Sequence, residues 1–196
     1  MSRPALQHRL RALPGRALQS LRQGWRQHLI TLLLAALVVA GVDAWRTRDL
    51  PKGPAPDAAI TLADGSDTTR AQWRALHPGK AVALHFWADW CPVCKIEEPS
   101  VAKLSADWPV LGIAMQSGPP ARVAQVQRQR GMPWPTAVDP QATLSREWGV
   151  KAVPALVVVD AQGHVRFATV GYTPGWGMRW RLWWAQVVPR WSALAG

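Results

Sequence analysis

The residues in this chain that are best suited to chemistry are Cys91 and Cys94, which are its only cysteines. Only two residues separate them, so on a helix they lie one turn apart and their sulfurs can form a disulfide. A pair of thiols at this C-x-x-C spacing can both form a disulfide and release it again. The spacing therefore indicates thiol–disulfide exchange.

The elements on either side of the pair suggest a different role for each sulfur. An apolar strand is predicted over residues 81–87, and Pro92 suits the first position of a helix predicted over residues 92–107. Cys91 would then lie at the helix N-terminus, where unpaired N–H groups and the helix dipole favour a thiolate. We predict that Cys91 is the catalytic nucleophile and that Cys94, which faces more protein, is the resolving thiol.

Two other uses of the cysteines remain open. A structural zinc site needs about four cysteine or histidine ligands, and this chain could supply the others only from scattered histidines. A purely structural disulfide is possible, but so small a ring restrains little chain entropy. Redox exchange is the favoured interpretation, and it requires no metal or other cofactor.

The chain resembles the thioredoxin superfamily in two separate motifs. They are FWADWCPVCK at residues 86–95 and GVKAVPAL at residues 149–156. In that family the proline that matches Pro154 is cis and lies beside the redox pair, and the preceding residue, here Val153, offers its backbone to an extended substrate. The resemblance implies a thioredoxin-like α/β fold with three layers, a mixed central sheet flanked by helices. It also implies a substrate-binding surface shaped by Trp90, Val153 and Pro154.

Within the superfamily, the chain is most similar to the exported, membrane-tethered TlpA-like branch, which includes cytochrome c maturation thioredoxins and copper-sensitivity-suppressor D proteins. The similarity covers roughly residues 59–190 and includes Glu97, Pro99 and the segment WPTAVDP at residues 134–140. It implies a thiol:disulfide oxidoreductase that exchanges its disulfide with exported protein thiols, acting as a reductant. It further implies electrons from a DsbD-type membrane donor, and clients met in copper tolerance or in cytochrome c maturation.

Two residues are candidates for proton transfer during the exchange. Many thioredoxins carry a buried aspartate six residues before the first cysteine, and here that position is His85. A neutral histidine can accept or donate a proton, but a histidine that is simply hydrogen-bonded in the core is the alternative. Glu97 is the better catalytic candidate because the TlpA-like branch uses a glutamate there. The alternative for Glu97 is an exposed carboxylate that the helix dipole favours.

The N-terminal region carries a charge pattern typical of membrane targeting. Residues 1–42 contain six arginines and no acidic residue, so they supply six of the eleven net positive charges and leave 11 − 6 = 5 for the rest. The basic excess is therefore mainly a topological signal, and no nucleic-acid partner is predicted. We predict a basic cytoplasmic leader over residues 1–28.

An apolar run over residues 29–42 follows the leader and is flanked by Trp25 and Trp45. As a helix the run rises about 21 Å, and the segment between the tryptophans rises about 30 Å, the thickness of a hydrocarbon core. We predict a transmembrane anchor over residues 29–45, which makes this a single-pass inner-membrane protein with its catalytic domain in the periplasm. A cleavable signal peptide is the alternative, since residues 42–44 (VDA) resemble a small-residue cleavage site.

After the predicted anchor, the sequence predicts a linker followed by one domain. Three prolines in the segment LPKGPAPD at residues 50–57 predict a semi-rigid spacer within a linker over residues 46–58. The thioredoxin-like domain is predicted over residues 59–196. Its predicted strands cover residues 59–62, 81–87, 110–115, 155–160 and 164–170, and its predicted helices cover residues 68–76, 92–107 and 121–130.

The C-terminal stretch repeats large apolar residues at helical spacings of three and four. They are Trp176, Trp180, Trp183, Trp184, Val187 and Trp191. On a helix they share one face of about 100°, with Arg179 and Arg181 to either side. Packing against the sheet is the favoured interpretation, and contact with the outer membrane interface or a membrane partner is the alternative.

A membrane-tethered copper(I) carrier is a second functional hypothesis, because soft thiolates select copper(I). Carriers with a thioredoxin-like fold typically show C-x-x-x-C spacing together with a distant histidine. Here the spacing is C-x-x-C, and the distant His164 follows a turn glycine. The oxidoreductase hypothesis is therefore favoured.

Overall fold

The chain divides into two compact units, Met1–Trp45 and Arg46–Gly196, in a computed structural model that describes residues 15–188, with side chains from residue 25. Helix α1 covers Gly15–Thr47. Its segment Trp25–Thr47 is long and apolar enough to cross a membrane, with a mean hydropathy of 1.9, and none of it is buried in the protein. This segment contains the predicted anchor over residues 29–45.

The second unit alternates strands and helices. Its strands are β1 Gly53–Pro54, β2 Ala59–Thr61, β3 Asp67–Thr69, β4 Val82–Trp87, β5 Val110–Met115, β6 Thr136–Asp139, β7 Ala155–Val159 and β8 His164–Val170. Its helices are α2 Arg70–Ala75, α3 Pro92–Ser105, α4 Pro120–Arg130, α5 Thr143–Glu147 and α6 Gly175–Val187.

Six of the strands form one mixed sheet in the order β1-β8-β7-β4-β5-β6. Strands β4, β5 and β6 are parallel, while β7 is antiparallel to β4 and β8 is antiparallel to β7. Strands β2 and β3 form a separate two-stranded ribbon. The predicted mixed sheet is thus present.

Strand β4 lies in the middle of this sheet, and all six of its side chains are buried. Because side chains alternate along a strand, Val82, Leu84 and Phe86 face one layer while Ala83 and Trp87 face the other. The first layer includes Trp73 of α2 and Trp148 after α5. The second layer includes residues of α3, α4 and α6, namely Cys94, Val101, Leu104, Val123, Val126, Met178 and Leu182.

Most predicted elements agree with the structure, and β5 and β8 agree to the residue. The predicted helix over residues 68–76 is shorter because Thr69 caps it. The Thr69 side chain accepts from the Gln72 N–H, and the Gln72 side chain accepts from the Thr69 N–H, which forms a capping box. Strand β6 was not predicted, since Pro135 and Pro140 bracket so short a run.

The indoles of α6 do not form its core-facing side, which corrects the favoured interpretation of their spacing. The buried apolar side chains of this helix are those of Met178, Leu182 and Ala185. The four tryptophans of α6 are all exposed. Trp191 lies outside the described residues.

The proline-rich segment after the apolar helix packs against the domain and is not the predicted spacer. Leu50 is 4% exposed and Ala55 is 8% exposed. Gly53 and Pro54 form β1, which pairs with β8 at the edge of the main sheet. An edge strand tolerates proline, because the N–H that proline lacks would face away from the sheet.

Two charged contacts fix this segment to the domain. Arg70, which is nearly buried, donates to the Pro56 carbonyl oxygen at 2.6 Å. The Asp49 carboxylate accepts a hydrogen bond from Lys151 Nζ at 2.7 Å, and this bond lowers the pKa of Asp49 below its usual value. Asp49 follows the end of α1 at Thr47 by only two residues. The folded domain therefore begins almost directly after the apolar helix.

We expect Leu50→Ala to lower the free energy of unfolding by about 2–5 kcal/mol, because it removes a buried side chain from the core. Chemical denaturation of the full chain in mild detergent would measure this loss. Lys52→Ala is the matched control, since Lys52 belongs to the same segment but is exposed, and it should leave stability unchanged. Equal effects of the two substitutions would show that the segment does not pack against the domain.

Candidate active site

Cys91 and Cys94 form a disulfide at the start of α3, with their Cα atoms 5.3 Å apart. Cys91 is the N-cap residue and Pro92 follows in the first turn, as predicted. The Cys94 N–H donates to Cys91 Sγ at 3.1 Å. Once the disulfide is reduced, the same N–H can stabilise negative charge on the Cys91 sulfur. Cys94 is fully buried and Cys91 is 3% exposed.

The loop between β4 and α3 is held by side chains from the loop after β5 and from α4. The Asp89 N–H donates to Ser117 Oγ at 3.0 Å, and Arg130 donates to the Asp89 carbonyl oxygen at 2.9 Å. Arg122 pairs with the Asp89 carboxylate at 3.2 Å. These contacts fix the backbone just before Cys91, and none of them was predicted from the sequence.

Trp90 presents an exposed indole immediately before the disulfide. Its side chain is 57% exposed, and its Nε1–H donates to the Gln116 carbonyl oxygen at 3.3 Å. Gln116 directly follows β5, so the indole is anchored on one edge while most of its surface stays accessible. A large apolar surface is thus available beside Cys91.

Val153 and Pro154 lie on the other side of Cys91. The peptide bond between them is cis, as the resemblance implied. The Val153 carbonyl oxygen is 3.7 Å from Cys91 Sγ, although 62 residues separate the two in sequence. The Pro154 carbonyl oxygen accepts from the Gly171 N–H at 2.7 Å, which closes the end of the β7–β8 pair. The fold therefore brings the second motif against the first.

The two candidates for proton transfer contact each other. His85 Nε2 lies 2.9 Å from Glu97 Oε2, and the two side chains are 0% and 1% exposed. The backbone N–H of Thr173 donates to Glu97 Oε1 at 2.6 Å. The alternative of an exposed Glu97 is therefore wrong. For His85, the structure shows a hydrogen-bonded core histidine whose partner is the other candidate.

The positions of these residues follow from strand and helix periodicity. His85 has the same parity on β4 as Ala83 and Trp87, so it faces the layer that contains α3. Glu97 follows Cys94 by three residues, so both lie on the sheet-facing side of α3. A buried carboxylate is costly unless it is hydrogen-bonded, and here both oxygens are engaged. Such a pair can take up or release a proton one helical turn from Cys94.

The copper(I) hypothesis needs His164 close to the cysteine pair, and the structure places them apart. His164 begins β8 and lies near Asp160, in the turn that follows β7. Pro154, beside Cys91, directly precedes β7, so the length of that strand, about 16 Å, separates the two ends. Among the described residues, no group of three or more His, Cys, Asp or Glu side chains could hold a metal ion.

Comparison with known proteins places the site in a family. The chain matches the AhpC/TSA family over residues 51–168. It is 27% identical over 158 residues to a thioredoxin-like protein of Haemophilus influenzae, covering 80% of this chain and 92% of the relative. It is also 30% identical over 149 residues to the thiol:disulfide interchange protein DsbE of Allochromatium vinosum, covering 72% of this chain and 80% of the relative.

A solved structure shares the fold. The crystal structure of a thiol:disulfide interchange protein from Chlorobium tepidum superimposes with a TM-score of 0.58 at 24% identity, covering 70% of this chain and 99% of that one. The expected thioredoxin-like fold is thereby confirmed. The family match spans more than half of the chain and includes both the cysteine pair and Pro154. The chain therefore belongs to the AhpC/TSA family, and it is a thioredoxin-like thiol:disulfide oxidoreductase.

Proposed function

We propose that this oxidoreductase is tethered to the bacterial inner membrane and reduces exported proteins in the periplasm. The apolar segment Trp25–Thr47 fits a single-pass anchor, and the six arginines within residues 1–28 favour a cytoplasmic N-terminus. The proposed organisation is a basic leader over residues 1–28, an anchor over residues 29–45 and a catalytic domain outside the cytoplasm. Disulfides persist in that compartment, so substrates for exchange are available there.

The proposed mechanism is carried by one observation, the position of Cys91 Sγ at the N-terminus of α3 and beside Val153. After reduction of the pair, the Cys91 thiolate attacks a client disulfide, and a Cys91–client bond forms while the second client sulfur leaves and is protonated. Cys94 then attacks the Cys91 sulfur and releases the first client sulfur as a thiol. Two electrons and two protons pass to the client, and the Cys91–Cys94 disulfide is restored.

Client binding is proposed to involve Trp90, Val153 and Pro154. The exposed Trp90 indole offers apolar contact on one side of Cys91, and the backbone at Val153 lies on the other. Main-chain hydrogen bonds to an extended segment carry little sequence preference. This arrangement suits an enzyme that acts on several clients.

Glu97 is proposed as the acid and base for Cys94, with His85 as its buried partner. Cys94 must lose a proton before it attacks, and Glu97 is the carboxylate one helical turn away. The Thr173 N–H fixes one carboxylate oxygen, and His85 contacts the other. His85 can therefore share the proton that Glu97 accepts, since the histidine ring can donate or accept at Nε2.

The reducing direction requires an electron donor on the membrane. We propose a DsbD-type thiol carrier as this donor, and clients from copper tolerance or from cytochrome c maturation. This proposal rests on the resemblance to the TlpA-like branch, and it invokes no cofactor because the two sulfurs carry the electrons.

Cys94→Ser should accumulate mixed disulfides with client proteins, because the resolving thiol is missing. Cys91→Ser should abolish reductase activity and trap nothing. Both variants of the full chain would be produced in a bacterial host, and thiol-trapped extracts would be analysed on non-reducing gels and by mass spectrometry. Absence of any Cys94→Ser adduct would argue against exchange with exported proteins.

Glu97→Gln should slow the resolution step by about 100-fold or more, because it removes a positioned proton acceptor. Rapid-mixing measurements of mixed-disulfide resolution by the reduced enzyme would test this expectation. Glu98→Gln is the matched control, since Glu98 is the adjacent carboxylate and pairs with Arg130 at 2.8 Å instead of contacting His85. A wild-type resolution rate for Glu97→Gln would remove Glu97 from the mechanism.

The reduction potential of the Cys91–Cys94 pair should lie at about −270 mV or lower if the enzyme works as a reductant. The full chain in detergent micelles would be equilibrated with glutathione and thioredoxin couples. The oxidised fraction would be measured by alkylation and mass spectrometry. A value near about −120 mV would instead identify a donor of disulfides.

A further inference from the structure

Helix α6 presents a second apolar face that points away from the core. We call it the outer aromatic face and define it by Trp176, Trp180, Trp183, Trp184 and Val187. The four tryptophans are 77%, 49%, 52% and 39% exposed, and Val187 is 46% exposed. At 3.6 residues per turn, the five side chains occupy an arc of about 100°.

Three of the four indoles of this face are packed against other aromatic rings. Trp180 and Trp184 stack with ring centroids 5.7 Å apart, and Trp183 lies 6.3 Å from Trp184. Trp180 also packs on Phe167 of β8 at 5.6 Å. These three indoles therefore form a connected aromatic cluster supported by the sheet, and an exposed apolar surface of this kind marks an interaction site.

Basic side chains flank this face, and one of them, Arg179, pairs with the carboxylate of Asp107. Residues 161–188 contain no aspartate or glutamate, and their arginines are Arg166, Arg179 and Arg181. Arg179 and Arg181 flank the face on either side of α6. A helix with tryptophan on its apolar face and arginine at the borders is typical of segments that lie in the membrane interface.

The chain also limits how far the domain can move from the end of its apolar helix. Helix α1 ends at Thr47, and Leu50 is already buried in the domain core. Three residues span at most about 10 Å. If the helix is anchored as proposed above, the domain remains next to the lipid headgroups.

We propose that the outer aromatic face of α6 lies in the membrane–water interface, with its indoles at headgroup depth and the flanking Arg181 near anionic phospholipid phosphates. The inference rests on the proposed membrane anchor. Tryptophan and arginine are also common in protein interfaces. The short connection to the anchor favours lipid as the occupant.

The test uses the full chain in nanodiscs of equal parts phosphatidylcholine and phosphatidylglycerol, at one copy per disc. Its tryptophans would be labelled with 5-fluorotryptophan and assigned by single Trp→Phe substitutions. Fluorine NMR signals would be recorded with a nitroxide carried on the lipids and, separately, with a water-soluble gadolinium chelate. The signals of the four indoles of the outer aromatic face should be broadened by the lipid nitroxide and protected from the chelate.

Two sets of tryptophans make the outcome unambiguous. Trp90 is 57% exposed but belongs to the active site, so it should respond to the chelate and not to the lipid nitroxide. Trp25 and Trp45 flank the apolar run and should respond to the lipid nitroxide if the anchor inserts. Failure of these two to respond would overturn the anchor and this inference with it. A response from them, but not from the outer aromatic face, would overturn this inference alone.

The manner of failure would identify another occupant. Broadening of the signals of the α6 indoles by the chelate would show that the face is exposed to water. The face would then be available to a protein partner. Protection from both reagents would show that protein covers it, including the chain's own residues 189–196. Either result would overturn the lipid contact.

A double variant tests the same contact by perturbation. Trp176→Gln with Trp183→Gln replaces two strongly exposed indoles and leaves the Trp180–Phe167 contact in place. The Trp184 signal should then become sensitive to the chelate, while reductase activity on a soluble disulfide substrate stays unchanged. An unchanged Trp184 signal would contradict the proposed contact.

Discussion

The burial of the Glu97 carboxylate is the constraint on which the arrangement of this domain depends. Removing a carboxylate from water is costly, and leaving one partner of a buried pair uncompensated costs about 3–5 kcal/mol. Glu97 avoids this cost only if β4 supplies His85 and the segment before α6 supplies the Thr173 N–H. Strand β4, helix α3 and the start of α6 must therefore be in register for the domain to be stable. The same elements carry the redox pair.

Sheet topology explains why two distant motifs meet at this pair. Strands β4 and β7 are antiparallel neighbours, and Phe86 near the end of β4 lies opposite Ala155 at the start of β7. The loop that leaves β4 and the loop that enters β7 therefore lie at the same edge of the sheet. Cys91 and Val153 occupy these loops, so their proximity follows from strand pairing. The hydrogen bonds of Asp89 with α4 and with the loop after β5 then hold the loop that carries Cys91.

The sequence was sufficient for features that depend on local pattern. Neighbouring residues alone were enough to predict the redox pair, the start of a helix at Pro92 and the apolar strands β5 and β8. The pairing of His85 with Glu97 was not predicted, because it depends on how α3 lies across the sheet. The proline-rich segment was wrongly predicted to be a spacer, because a spacer and a proline-containing edge strand share an extended backbone. The two possibilities differ only in whether the segment pairs with β8, and that pairing is seen in the structure.

The tryptophans of α6 show a different limit of sequence patterns. This helix is apolar on two sides, so periodicity alone cannot tell which side faces the sheet. Met178, Leu182 and Ala185 allow close packing on the sheet, and the bulky indoles are left outside. Met178, Leu182 and Ala185 pack α6 into the core, and the Thr173 N–H just before the helix donates to Glu97, so α6 is held next to the active site. Contact at its outer aromatic face would therefore orient the whole domain without rearranging the redox pair.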